Sequence, residues 1–262
     1  MSEASSEGAV TLRREGAVAH VTFDRPAARN AMTWKMYGEL AEICQTLRAD
    51  AELRCAVFRG AGGRSFVAGS DISQFLAFEG AEDGLKYEAH MDRQMAMLTA
   101  IPIPTVAVVE GWAVGAGINF AAGCDLRIAT VGTRFGVPIA RTVGNCLSMA
   151  TMQRLVAGFG AARVKRMLLL SEFLSAEEAM EAGFLARLVE VDELEGAVNE
   201  VVDKLVANAP LTMRVSKEAI ARIASGEPGD GRDLIETIYG SKDFKTGVTA
   251  FVNKAKPQWE GR

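Results

Sequence analysis

Glu110-Gly111-Trp112-Ala113-Val114-Gly115-Ala116-Gly117-Ile118-Asn119-Phe120 changes character twice in a short span. It follows Thr105–Val109, a β-branched run that reads as a buried strand, passes through small residues and opens into a helix. Small residues at a helix start let a ligand approach the first backbone N–H groups, where the positive end of the helix dipole also lies. Such a turn favours negative charge, either on a phosphate or on an oxyanion formed during a reaction. Taken alone, it also fits tight packing of strand on helix with no ligand. A dinucleotide-binding turn would want G-x-G-x-x-G after the first strand. Here Gly115-Ala116-Gly117 comes after a fourth or fifth strand and no third glycine follows at that spacing.

A second small-residue turn lies upstream, at Ser65-Phe66-Val67-Ala68-Gly69-Ser70-Asp71-Ile72. It too follows a strand and precedes a short helix. Two such turns after neighbouring parallel strands can aim two N–H groups at one carbonyl oxygen, a geometry that suits a thioester whose oxygen becomes negative.

Around these turns, strands and helices alternate. Ala9–Arg13 and Ala17–Phe23 read as strands joined at Glu15-Gly16, and residues 1–8 as a disordered leader. Thr33–Ala49 carries Met36, Leu40, Ile43 and Leu47 at helical spacing. Arg54–Arg59 reads as a strand and Gly84–Ala100 as a helix stopped by Ile101-Pro102-Ile103-Pro104, with a further strand at Asp125–Thr130. Beyond residue 145 the pattern is nearly all helix. Ser175-Ala176-Glu177-Glu178 has the form of a capping box, Gly183 ends that helix, and helices follow at Asp192–Ala209, Leu211–Ser225 and Gly231–Ala255. Gly226–Gly229 is a solvent loop. The expected architecture is an α/β core over residues 9–200 with a helical region over residues 201–262.

Composition narrows the function. A net charge of −4, with scattered Lys and Arg, gives no footprint for nucleic acid. No apolar run is long enough to cross a bilayer, and Met1–Val10 is not a secretory signal, so the default location is cytoplasmic. Cys44, Cys55, Cys124 and Cys146 form no C-x-x-C pair, and neither they nor His20 and His90 fall into metal-ligand spacing. Neither a metal nor a redox cofactor is expected. Trp34, Trp112 and Trp259 read as packing area.

At the two turns the chain resembles the enoyl-CoA hydratase/isomerase (crotonase) family. The likeness runs from about residue 10 to 260. It rests on Arg25-Pro26 with Asn30-Ala31-Met32, Phe66-x-Ala68-Gly69-x-Asp71-Ile72, Ile103-Pro104-Thr105-Val106-Ala107 and Gly111-Trp112-Ala113-x-Gly115-Ala116-Gly117. Cys124–Ala129, Phe135-Gly136-Val137-Pro138, Ala179–Gly183 and Gly247–Pro257 continue it in the same order. The resemblance implies a spiral of ββα units with a C-terminal helical region, assembled as a trimer or a dimer of trimers. It implies an acyl-CoA substrate, with coenzyme A arriving as part of that substrate. The N–H groups of Ser70 and Ala116 become the oxyanion donors, Ala68, Gly69, Gly115 and Ser70–Ser73 (with Asp71 and Ile72) line the thioester, and Arg25, Ala27, Ala28 and Arg29 lie beside the CoA nucleotide. Phe251 and Lys254 also approach the CoA, often from a neighbouring subunit.

The same resemblance exposes a gap. Family hydratases carry one glutamate three residues after the second oxyanion donor and another after F-G-x-P. Here those places hold Asn119 and Ile139. Asn can orient a water but cannot exchange a proton at neutral pH, and Ile can do neither. Replacements are sought in Arg141, Asn145 and Cys146, which follow Ile139. Arg141 could bind a substrate carboxylate bidentately, Cys146 could act as nucleophile or acid, and Cys146 could equally enter a packed helix. Asp71 serves as a turn cap or as an alternative acid/base group. Asp125 reads as a structural acceptor, His90 as a cover of the acyl pocket or an edge residue, and His20 as an ordinary strand residue. Three functions fit: thioester chemistry other than simple hydration, hydration by other acid/base groups, and acyl-CoA binding without turnover.

Overall fold

The computed structural model describes residues 7–262, so the leader expected at residues 1–8 lies largely outside the described part. Glu7 and Gly8 are held: their carbonyls accept from Thr33 Oγ1 and Lys35 Nζ.

Nine strands follow in chain order: β1 Ala9–Glu15, β2 Val18–Asp24, β3 Cys55–Gly60, β4 Thr105–Val109, β5 Trp112–Val114, β6 Leu126–Thr130, β7 Arg134–Gly136, β8 Leu174–Ser175 and β9 Arg187–Val189. The helices are α1 Trp34–Ala49, α2 Ala81–Thr99, α3 Ala116–Gly123, α4 Met149–Phe159, α5 Ala161–Leu169, α6 Ala176–Glu181, α7 Leu194–Ala207, α8 Pro210–Ser225, α9 Arg232–Tyr239 and α10 Lys242–Val252.

The main sheet has the order β1-β2-β3-β4-β6-β9, antiparallel only at β1–β2, and β5-β7-β8 make a second, small sheet. Strands β3 and β4 are apolar almost throughout because the parallel sheet is covered on both faces. Alternation divides them: Phe58, Ala107 and Val109 enter the larger core with Phe23, Leu40 and Phe120, whereas Val57, Val106 and Val108 pack on Leu194, Val198 and Val201 of α7. Helix α1 starts where Thr33 accepts from Met36 N–H, and its Met36, Tyr37, Leu40, Ile43, Cys44 and Leu47 form the buried stripe. Cys44, Cys55 and Cys124 are buried free thiols pushed up to about 12 by burial.

The expected elements form with four differences. The region after residue 145 also contains β9, a sixth strand of the main sheet, whose pairing to β6 is supplied by tertiary contact because three residues carry no readable alternation. The small sheet likewise was not anticipated. The single helix expected at Gly231–Ala255 is two, because the Ser241 hydroxyl accepts from Phe244 N–H and restarts the helix. Helix α2 begins earlier than expected, with Asp83 accepting from the N–H groups of Glu79 and Gly80. The capping box at Ser175 and Glu178 forms as read.

The helical region is tied to the sheet at Asp125. Its carboxylate accepts from Thr105 N–H at 2.7 Å, Thr105 Oγ1 at 2.8 Å and Lys217 Nζ of α8 at 2.7 Å. Asp125 is thus the structural acceptor anticipated from its position.

Candidate functional site

The two small-residue turns meet. Val67 and Ala113 form a β-bridge, Phe66 N–H donates to the Trp112 carbonyl, and Val114 N–H donates to the Val67 carbonyl. Behind them, Asn30 acts as a plug. It is wholly buried, its amide donates to the Ala61 and Ser65 carbonyls, and its Oδ1 accepts from Arg25 N–H. Ala68 N–H donates to Arg29 O, Met32 N–H to Gly69 O and Asp71 N–H to Met32 O. These bonds satisfy the residues on either side of Ser70, but no acceptor takes up the Ser70 N–H among the described residues. Ala116 is the first residue of α3, where an N–H has no intrahelical acceptor.

Two glycines make this approach possible. Gly115 caps α3 at φ +55, in the left-handed region. A Cβ on Gly117 would sit 1.9 Å from the Val67 carbonyl oxygen, so helix and turn could not close on any larger residue. Ser70 and Ala116 then line one cavity of about 260 Å³, with Ala68, Gly69, Ile72 and Gly115 around them. Two unpaired donors, one in the Ser70 turn and one at the start of a buried helix, beside a mainly apolar cavity, can stabilise an oxygen that gains negative charge.

The side chains around the cavity form two networks. In one, Ser70 Oγ bonds both Tyr37 OH at 2.6 Å and Tyr87 OH at 2.7 Å. Burial pushes both phenols above their ordinary range, so they remain protonated. In the other, Asn119 Oδ1 accepts from Arg154 at 2.7 Å and its amide donates to Thr151 Oγ1 at 3.2 Å. Ser148 extends this network, donating through Oγ to Asp92 at 2.6 Å and through N–H to Glu88 Oε2 at 2.7 Å. Burial lowers the Arg154 guanidinium from its ordinary value, with Asp92 opposing.

Of the residues singled out in the sequence, Ala68, Gly69, Ser70, Ile72, Gly115, Ala116, Asn119, Ile139 and Asn145 line this cavity. Asp71 and Ser73 do not. Asp71 caps the short helix Ile72–Ala77 through Ser73 N–H and accepts from Arg25 at 2.7 Å; the Ser73 bond, then Arg25, lower its carboxyl from the ordinary value against burial. Arg25 thus turns its guanidinium onto Asp71 and the Ala31 carbonyl, while Ala27 and Ala28 lie in the adjoining 3-10 turn Pro26–Ala28, closed by Arg29 at φ 52. Arg141 is exposed and outside the cavity lining, because Pro138 and Ile139 carbonyls accept from Arg141, Thr142 and Gly144 N–H in a turn that carries it outward. Cys146 is exposed and lines an adjoining hollow with Phe75, Phe78 and Leu85. Phe251 and Lys254 are exposed at the end of α10. His90 packs edge-on against Trp34 and Tyr37.

Sequence reasoning missed Glu88, Tyr87, Met91 and Thr151, all of which line the cavity. The spacing of Tyr87, Glu88 and Met91 places them on one face of α2, and that face was the available signal. His90, which drew attention as the rarer residue type, points to a different neighbourhood.

The sequence matches the enoyl-CoA hydratase/isomerase profile over residues 13–262. It is 32% identical over 251 residues to a short-chain-enoyl-CoA hydratase of Clostridium acetobutylicum, covering 94% of this chain and 95% of that one. It is 30% identical over 262 residues to an (E)-benzylidenesuccinyl-CoA hydratase of Thauera aromatica, covering 96% and 99%. A solved enoyl-CoA hydratase/carnithine racemase from Magnetospirillum magneticum superimposes with a TM-score of 0.91 at 31% identity, covering 97% of this chain and 96% of that one. The α/β spiral of ββα units with a C-terminal helical region is therefore the fold this chain adopts. With its profile match spanning nearly every residue, the chain belongs to the enoyl-CoA hydratase/isomerase family.

Proposed function

We propose that this protein acts on an acyl-CoA thioester by stabilising an enolate, through chemistry other than syn-hydration by a pair of glutamates. The observation that supports the reading is that Ser70 and Ala116, whose N–H groups have no acceptor among the described residues, line one cavity. A thioester carbonyl set between them gains hydrogen bonds that strengthen as its oxygen becomes negative. Hydration by the usual pair is disfavoured by the residues at its two places. Asn119 is tied at both ends of its amide, and Ile139 is apolar. Coenzyme A is carried in on the substrate, and no other cofactor enters the reading. A trimer or dimer of trimers fits the apolar residues exposed on α9 and α10, among them Ile235, Tyr239, Phe251 and Val252.

The test is a panel of CoA thioesters (crotonyl, methylmalonyl, ethylmalonyl, aryl and 3-enoyl forms) followed by mass change, with Asn119→Ala and Arg141→Ala variants alongside. A substrate transformed without net addition of water supports the reading. The hydratase names of two relatives favour a second reading, simple hydration. Rapid water addition to crotonyl-CoA by the wild type would establish it in place of the first. Binding without turnover of any thioester would leave a CoA-binding protein.

A further inference from the structure

The cavity holds one carboxylate that neither family position explains. Glu88, on α2, lines the cavity with Tyr87 and Met91, and Ser70, Ala116 and Asn119 line the same cavity. Glu88 also lines the adjoining hollow with Phe75 and Cys146, so it stands at the junction of the two spaces. It is half-buried, and its one recorded hydrogen bond is the 2.7 Å bond that Oε2 accepts from Ser148 N–H. No cation pairs with it among the described residues. Ser148 is in turn fixed by its Oγ bond to Asp92 and by capping α4 at Thr151 N–H. The carboxylate is therefore anchored at one oxygen, and the other has no donor among the described residues.

From this geometry we propose that Glu88 is the group that exchanges a proton with the acyl chain of a thioester held by the Ser70 and Ala116 N–H groups. The proposal rests on the enolate reading above. Glu88 as carboxylate takes a proton from a carbon next to the thioester carbonyl, or from one conjugated with it. That C–H bond breaks, an O–H bond forms on Glu88, and the electron pair moves onto the thioester oxygen as an enolate. The Glu88 carboxyl trades that proton with solvent, and a proton then returns from it to the same carbon or to another position of the conjugated system. The first course is exchange and the second is double-bond migration. Neither consumes water, oxidant or a further reactant, so one carboxylate suffices where hydration would use two groups. Burial, with the Ser148 N–H bond opposing it and Asp92 adding to it, raises the carboxyl from its ordinary value, the direction that helps one group both accept and return a proton. The titratable and charged groups around it are Tyr87 and Asp92 from α2, Tyr37 from α1 and Cys146 from the segment before α4.

The test is deuterium uptake from D2O into butyryl-, crotonyl- and 3-butenoyl-CoA, read by mass spectrometry, with thioester binding measured by calorimetry. Wild type is expected to exchange at least one of them. Glu88→Gln should lose about 100-fold or more of that rate while still binding the thioester, the scale of general acid–base catalysis. Glu88→Asp should retain part of the rate. Asp92→Asn removes the neighbouring negative charge and should move the acidic limb of the pH–rate profile to lower pH, which a merely structural residue would not do. Exchange that persists in a folded Glu88→Gln variant overturns the role of Glu88 and leaves the enolate reading standing. Wild type that exchanges none of the thioesters overturns both. Should Glu88→Gln not fold, an Asp92→Asn limb that stays in place overturns the proposal.

Discussion

The two small-residue turns and the Ile139–Cys146 segment border the same cavity, yet they are held in opposite ways. The turns are buried, bridged to each other at Val67 and Ala113, and plugged from behind by Asn30. The segment is exposed from Ala140 to Cys146 and is held by a local turn on Pro138 and Ile139. One half of the site is made from main chain, whose geometry is shared by any sequence that closes the same turns. The other is made from side chains, which can be exchanged without disturbing the fold. A chain can therefore keep the two paired turns while Asn119 and Ile139 stand where glutamates were expected.

The contrast can be broken most directly at Gly117. Gly117→Ala sets a methyl against the Val67 carbonyl and should destabilise the protein by about 3 kcal/mol, as overpacking does, read from the urea midpoint. A variant as stable as wild type would mean the turns are not in contact. Asn30→Ala removes the plug and leaves the Ala61 and Ser65 carbonyls without their donor; a loss of about 2 kcal/mol is expected. Ser148→Ala removes the α4 cap and should cost about 1 kcal/mol, while its N–H remains for Glu88.

A pH titration of stability sharpens the comparison further. Burial raises the Glu88 carboxyl, so the folded chain keeps this proton to higher pH than the unfolded chain does. The stability this group contributes is full below the ordinary glutamate value and is lost as pH rises through the raised folded value. Glu88→Gln should remove that decline, measured as a flatter dependence of the melting temperature on pH across the window. The smallest effect is expected at Arg141→Ala, within about 0.5 kcal/mol of wild type, because the side chain is exposed. A larger loss would show that the Ile139–Cys146 segment is held more firmly than its hydrogen bonds indicate.

The main-chain half was also the legible half. Glycine spacing and a strand running into a helix announce a turn locally, and Thr105–Val109 declares itself as a buried strand through its β-branched run. Strand β9 does not, since Arg187–Val189 becomes a strand only because β6 is there to pair with it. Glu88 was missed for a related reason. Its anchoring amide belongs to Ser148, sixty residues away, and no local pattern distinguishes it from the solvated Glu82 on the same helix. Arg141 drew attention by residue type, but a turn formed by its own neighbours' carbonyls carries it outward.

The Lys217–Asp125 contact bears on how this fold can be recombined. Asp125 holds the start of β4 through both groups of Thr105, and a lysine from the helical region supplies the opposing charge. Helices borrowed from a relative with an apolar residue at this place would leave a half-buried carboxylate without its cation at the edge of the sheet. Chimeras joined between α7 and α8 should therefore sort by that single position, whatever their similarity elsewhere.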